Sequence, residues 1–252
     1  HLFHSSAFWA LETASKIVDM VYFSSTPQNN EIVKKLKSKF INGIIVPREK
    51  VYEYAEEADC VLIGPGLPRP DGEELGDHST KILTEKLLQK FPNKKWVVDG
   101  GTLQVVKVSD IPKNAVVTPN KKEFEMMFGE KLKEECNERC EQVLNLSKKF
   151  DLIILTKDTV SITSDGKEVW VIEGGNEGLV KGGVGDVIAG LTIGFLAKNE
   201  PLYSVCAASF LIKKAAEKLA LSRGFMFNAD DLVDMVPEVY GEIASARVRD
   251  SQ

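Results

Sequence analysis

The chain has 252 residues, 43% of them hydrophobic and 27% charged, with a formal net charge of -5. That length holds an α/β domain with a sizeable core, and that composition is ordinary for a globular protein. An acidic balance argues against a general nucleic-acid binder, which would show a basic stripe. No apolar run reaches the length of a membrane span, and no basic segment leads into an apolar leader, so neither a membrane partner nor a signal peptide is expected. Cys60, Cys136, Cys140 and Cys206 form no disulfide framework. They fit thiols in a reducing cytoplasm, and no metal site is expected, because no histidine or further cysteine pair stands near Cys136 and Cys140 in sequence.

The opening residues, His1-Leu2-Phe3-His4-Ser5-Ser6, lack a methionine and run at once into a helical pattern over 6–17. An α/β domain usually places a strand there, so a first strand and its loop are expected to be missing from the N-terminus. Strand-like Val18 to Phe23 follows, then an amphipathic stretch over 30–39 and a short apolar run over 41–46. Residues 49–58 read as a helix, 60–63 as a strand ending in Gly64-Pro65-Gly66, 81–90 as a helix, and 96–98 as a strand ending at Asp99. Residues 115–117 give a strand ending in Thr118-Pro119-Asn120, 131–149 a charged helical region, and 152–155 another strand. Asp165-Gly166 is a hairpin turn between strands at 161–164 and 168–172. From Val184 onward the pattern is helical, in three helices that include 201–222 and 229–246.

Short apolar runs without alternation suit parallel strands buried on both faces, and alternating β and α signals imply a doubly wound, mostly parallel sheet flanked by helices. With no internal repeat or linker, residues 1–252 read as a single domain. Ligands of such sheets bind beyond the carboxyl ends of the strands. There the sequence places Gly64-Pro65-Gly66, Asp99-Gly100-Gly101, Thr118-Pro119-Asn120 and Lys157. Any one of them reads better as turn formation, but four in register with a glycine-rich segment do not.

The segment Lys181-Gly182-Gly183-Val184-Gly185-Asp186 leads into an apolar helical run. Its bare N–H groups suit an anion at a helix N-terminus, and its glycines permit positive φ. A glycine-rich turn with an acidic cap is an equally good reading of that segment alone.

Taken in order, Gly64-Pro65-Gly66, Asp99, Thr118-Pro119-Asn120 with Glu123-Phe124, Lys157, and Gly183-Val184-Gly185-Asp186-Val187-Ile188-Ala189-Gly190 resemble the ribokinase-like superfamily. Within it they are most similar to the ADP- or ATP-dependent NAD(P)H-hydrate dehydratases, in the form of the C-terminal domain of the YjeF-type repair proteins. The Gly-x-Gly-Asp loop is shared with vitamin and sugar kinases; the Thr-Pro-Asn-x-x-Glu-Phe and Gly-Pro-Gly motifs narrow the match.

The resemblance implies phosphorylation of the ring hydroxyl of NADHX or NADPHX by ATP or ADP with Mg²⁺, then loss of phosphate to restore NAD(P)H. It implies Asp186 as base and substrate contact, and the N–H groups of Gly183, Val184 and Gly185 as anion hole. Lys157, Asp158, Thr159, Val160, Ser161 and Gly185 would bind the nucleotide, and Gly66, Asn120 and Glu123 the hydrated dinucleotide. A cytoplasmic homo-oligomer is expected on the same ground. The chain departs from the family pattern at Val184 for threonine, Asp158 for glycine, Gly101 for aspartate and Pro68 for glycine. Two other readings remain open: a kinase of a vitamin-precursor alcohol, and a nucleotide-binding homologue without turnover.

Overall fold

The structure is a computed structural model that describes residues 4–36, 41–69 and 79–250. Helix α1 spans His4–Ser15 and ends in turns that carry Lys16, Ile17 and Val18, so the expected strand over 18–23 shortens to β1, Tyr22–Phe23. Helix α2 covers Pro27–Leu36, and β2, Ile44–Ile45, pairs with β1 in parallel. Residues 37–39 of the expected amphipathic stretch lie outside the described residues. Next come α3, Val51–Glu57; β3, Cys60–Ile63; α4, Thr80–Lys90; β4, Lys95–Val98; and β5, Val116–Val117.

Helix α5, Lys121–Phe128, has no counterpart among the elements expected from sequence; it is capped by Asn120 and closed by Gly129 at φ +74°. The charged helical region expected over 131–149 is one helix, α6, which begins only at Cys136, where the Glu135 side chain accepts from the Glu138 N–H, and runs to Phe150. Strand β6, Ile153–Thr156, is followed by the expected hairpin of β7, Ser161–Ser164, and β8, Val169–Ile172. Gly166 sits at its turn with φ +84°. The chain closes with α7, Val184–Leu196; α8, Pro201–Arg223; and α9, Ala229–Asp250.

The main sheet has the order β3-β4-β5-β6-β7-β8; β3 to β6 run parallel, and β7 and β8 join antiparallel. Its central strands are apolar at every position because both faces are covered. Val97, Val116, Ile153 and Leu155 pack with α7, α8 and α9, whereas Trp96, Val98, Val117 and Ile154 pack with α4, α5 and α6. No helix among the described residues is long and apolar enough to cross a membrane. A cavity of about 670 Å³ separates β1 from β3, lined by backbone-edge residues of both strands together with Leu11 and Ile193.

Helix α7 lies in the middle of one helical layer and is apolar almost all round, which suits a helix buried on most sides. It admits α1 at close range because two of its positions lack a side chain. A Cβ at Gly190 would stand 2.8 Å from the Ala10 carbonyl oxygen, and one at Gly194 would stand 2.7 Å from Ile17 Cδ1. Gly241, on α9, has no atom within 4 Å of such a Cβ. Gly190→Val is therefore expected to lower stability by about 2 kcal/mol in urea unfolding, the usual cost of overpacking. Gly241→Ala is expected to raise it by up to about 1 kcal/mol, through helix propensity alone.

Candidate active site

The carboxyl ends of β3, β4, β5 and β6 converge on one buried ion pair. Lys157, just past β6, places Nζ 2.5 Å from Asp99 Oδ1, at the end of β4. Thr118, at the end of β5 between them, donates its hydroxyl to the same oxygen at 2.7 Å. Asp99 and Thr118 are sealed from solvent, and the Lys157 side chain is 14% exposed. The Lys157 N–H reaches back to the Pro119 carbonyl, which fastens the β6 exit to the Thr118-Pro119-Asn120 turn.

Glycines let the neighbouring turns close on this pair. Gly64, at φ +127°, has Asp99 O only 1.6 Å from where a Cβ would be, so no other residue fits. Gly101 lies against the carbonyl of Leu67, 2.7 Å from its virtual Cβ. The missing aspartate at this position thus accompanies a close approach of two backbones.

Asn120 and Glu123 form a reciprocal capping box at the start of α5. Asn120 Oδ1 accepts from the Glu123 N–H and Glu123 Oε2 from the Asn120 N–H, both at 3.0 Å. Gln104 donates to the other Glu123 oxygen at 3.4 Å. Burial raises the Glu123 pKa; Lys157 opposes this and Asp99 adds to it.

The glycine-rich segment arrives from the opposite side. Gly183, at φ +92°, caps α7, and the first-turn N–H groups of that helix have no intrahelical acceptor. The Val184 side chain is 6% exposed and packs into the core. Replacing threonine there leaves the backbone donors unchanged. A Cβ on Gly185 would lie 3.1 Å from Lys157 Nζ, so the ammonium comes close to the first turn of α7.

Asp186 completes the cluster and has the most displaced carboxyl of the site. Its pKa is raised from 3.8 to about 7, by burial first and then by Asp99, with Lys157 and a hydrogen bond from Ser6 pulling the other way. Burial lowers the Lys157 pKa, but Asp99, Glu123 and Asp186 outweigh it and hold the ammonium above its usual range. Three carboxyl groups around one ammonium therefore favour a carboxyl proton that is easily gained and lost near neutral pH.

Asp186, Gly183, Val184, Gly185, Lys157, Asn120 and Glu123 thus come together. Gly66 sits one turn away, at φ +71° in the loop that leans on Asp99. Asp158 is engaged elsewhere: its carboxylate meets Lys121 at 3.0 Å and Arg139 at 3.2 Å. Burial opposes its charge, yet the Thr159 N–H and Lys121 hold its pKa below the usual range. Thr159 is exposed, whereas Val160 is half-buried and Ser161 is buried in the start of β7. The sequence reading assigned no site role to Asp99, Thr118 or Ser6. Asp99 carries a signal, as an acidic residue closing an apolar strand; Ser6 carries none, being 180 residues from its partner.

Residues 6–238 match the family described as NAD(P)H-hydrate dehydratase. The chain is 31% identical over 192 residues to the bifunctional NAD(P)H-hydrate repair enzyme Nnr of Archaeoglobus fulgidus, covering 75% of this chain and 36% of that one. It is 33% identical over 183 residues to the ADP-dependent (S)-NAD(P)H-hydrate dehydratase of Cenarchaeum symbiosum, covering 72% of this chain and 61% of that one. It therefore spans between about a third and three fifths of the length of these relatives. Its fold superposes on that of the ADP/ATP-dependent NAD(P)H-hydrate dehydratase from Bacillus subtilis co-crystallized with ATP/Mg²⁺, with a TM-score of 0.76 and 20% identity over 95% of this chain and 85% of that one.

A carboxyl whose pKa rises on folding contributes stability at low pH that is lost as pH climbs through the folded value. For Asp186 that loss falls between pH 3.8 and about 7. Asp186→Asn, which mimics the neutral acid, is expected to melt above the wild type at pH 5 and by a wider margin at pH 8. Paired thermal melts at the two values check this.

Proposed function

Because this chain belongs to the NAD(P)H-hydrate dehydratase family, we propose that it restores NADH or NADPH from the hydrated forms NADHX or NADPHX at the expense of ATP or ADP. The observation that carries this reading is Asp186, a carboxyl with a pKa of about 7 beside both a buried ammonium and a helix N-terminus. Such a group accepts a proton at neutral pH next to a place that favours phosphate.

In this reading the nucleotide phosphates meet the N–H groups of Gly183, Val184 and Gly185, with the Lys157 ammonium beneath them. The space fits: a Cβ on neighbouring Gly182 would touch nothing within 4 Å. Thr159 offers the exposed polar side chain of the 157–161 segment. The dinucleotide lies over Gly66 and the α5 N-terminus. There the Asn120 carbonyl oxygen is committed to the cap, so its Nδ2 amide makes the contact. Among the described residues no cluster of three or more histidine, cysteine or acidic side chains is arranged to hold a metal. Mg²⁺ would therefore arrive with the phosphates and supply charge neutralisation there.

Asp186 takes the proton of the ring hydroxyl as that oxygen bonds to the terminal phosphorus and the nucleotide leaves. Preorganised N–H groups and Lys157 face the charge on the transferred group. The ring carbon–oxygen bond then breaks with its electron pair on phosphate, a ring proton is lost, and the carbon–carbon double bond returns. NADHX and ATP give NADH, ADP, phosphate and a proton. Asp99 keeps Lys157 in place and charged throughout.

The proposal treats residues 1–252 as one catalytic domain acting on a small molecule without nucleic acid. A cytoplasmic location and a homo-oligomeric state belong to the same proposal.

An absorbance assay on NADHX with Mg²⁺ and ATP or ADP tests the reading. A nucleotide-dependent rise at the NADH band is expected, and a mass spectrum showing only a phosphate ester would instead indicate a kinase. Asp186→Asn is expected to abolish turnover while nucleotide binding persists. Asn120→Ala is expected chiefly to raise the KM for the hydrated dinucleotide. The kcat/KM of the wild type should fall about tenfold per unit below about pH 6, because only ionised Asp186 serves as base.

A further inference from the structure

Lys213, in the middle of α8, is 2% exposed, and its hydrogen bonds among the described residues go to backbone carbonyls. Its ammonium donates to the carbonyls of Thr159 at 2.6 Å, Gly174 at 3.2 Å and Asp158 at 3.4 Å. Burial lowers its pKa, with Asp158 and Glu217 opposing. A cation withdrawn from water in this way is costly unless its donors are met, and here all three meet loop carbonyls.

The same loop is held from the other face of the sheet. Arg139, on α6 and 8% exposed, donates Nη1 to the Val160 carbonyl at 3.4 Å and to the Asp158 carboxylate at 3.2 Å. Its Nε and Nη2 are fixed by the Lys133 and Glu134 carbonyls at 2.8 and 2.7 Å. Residues 158–160 thus run between two buried cations that belong to opposite helical layers. Three successive carbonyls, which face no strand partner, find their acceptors' match in side chains about 20 and 55 positions away.

We propose that Lys213 is a positioning residue for the nucleotide, with Arg139 as its counterpart: the two clamp the 158–160 segment into the conformation that receives the nucleotide. This rests on the nucleotide site proposed above and goes beyond it, since neither residue reaches the anion loop. Asp158 then has a definite task. Where a glycine would leave the loop free, its carboxylate ties the segment to Arg139 and Lys121 and balances the charge of the clamp. Lys213 also spans to Gly174, whose neighbour Gly175 donates its N–H to Glu217 one turn further along α8. The β8 exit and the β6–β7 loop are therefore locked to one helix.

Calorimetric titration of the intact chain with Mg²⁺–ATP and Mg²⁺–ADP tests the clamp, alongside steady-state kinetics on NADHX. Lys213→Met is expected to weaken nucleotide binding at least tenfold and to raise nucleotide KM by as much. kcat at saturating nucleotide should stay within threefold and NADHX KM should not move. Arg139→Met is expected to act in the same direction, and the double variant to lose less than the product of the two, because both act on one loop. Should Lys213→Met fail to fold, Lys213→Gln, whose amide can still donate twice, is expected to show an intermediate loss of affinity. Folded variants that bind nucleotide within twofold of the wild type, or that lose kcat with affinity intact, would overturn the clamp while leaving the proposed function standing. A wild type that binds neither nucleotide would remove both.

Discussion

The ion pair between Lys157 and Asp99 is the contact on which the rest of the site depends. It joins the ends of two strands across a third, at 2.5 Å and away from water, with Thr118 sharing the same carboxylate oxygen. Removing one partner of such a pair costs about 3–5 kcal/mol, because the other charge remains buried alone. Its position also determines what surrounds it. Gly64 must lack a side chain to let β3 approach Asp99, and Gly185 leaves the Lys157 ammonium room beside α7. The displaced pKa of Asp186 follows from the same burial, with the Asp99 charge as its second cause. Fold and acid–base chemistry meet in this pair.

The strand at 60–63, the strand expected over 152–155 and found at 153–156, and the hairpin turn at Asp165-Gly166 were legible in sequence because continuous apolar runs and turn chemistry mark them. The two-residue strands β1 and β2 gave too short a signal to bound, and Val18 lost its strand to the closing turns of α1. Helix α5 escaped because Thr118-Pro119-Asn120 reads as a turn, and only the reciprocal bonds of Asn120 and Glu123 reveal a helix start. Among the site residues, the glycine-rich segment with Asp186 was visible through its composition. The proposed clamp of Lys213 and Arg139 was not, since a lysine in mid-helix and an arginine in a first helical turn look like surface residues until the two layers close over them.

The departures from the family pattern also acquire physical content. Val184 packs into the core, so the chain fills this position with an apolar side chain. Gly101 sits where the Leu67 carbonyl comes close, and Asp158 has two cations to meet it. A charge that would repel phosphate if it stood alone is instead spent on holding the loop. Pro68 stays at the turn where its carbonyl accepts from the Thr80 hydroxyl.

The contact between α1 and the cap of α7 has an optical side. Trp9 lies against Gly183, with ring carbon Cζ3 2.5 Å from where a Cβ would be, and its indole N–H donates to Asp230. Of the other tryptophans, Trp96 is sealed within the core and Trp170 lies 41% exposed on β8. The protein therefore carries an intrinsic fluorophore against the cap of α7, a second insulated from it, and a third facing solvent. Under the proposed function, a selective change in Trp9 emission would report nucleotide phosphate at the N-terminus of α7, with the other two indoles as internal references.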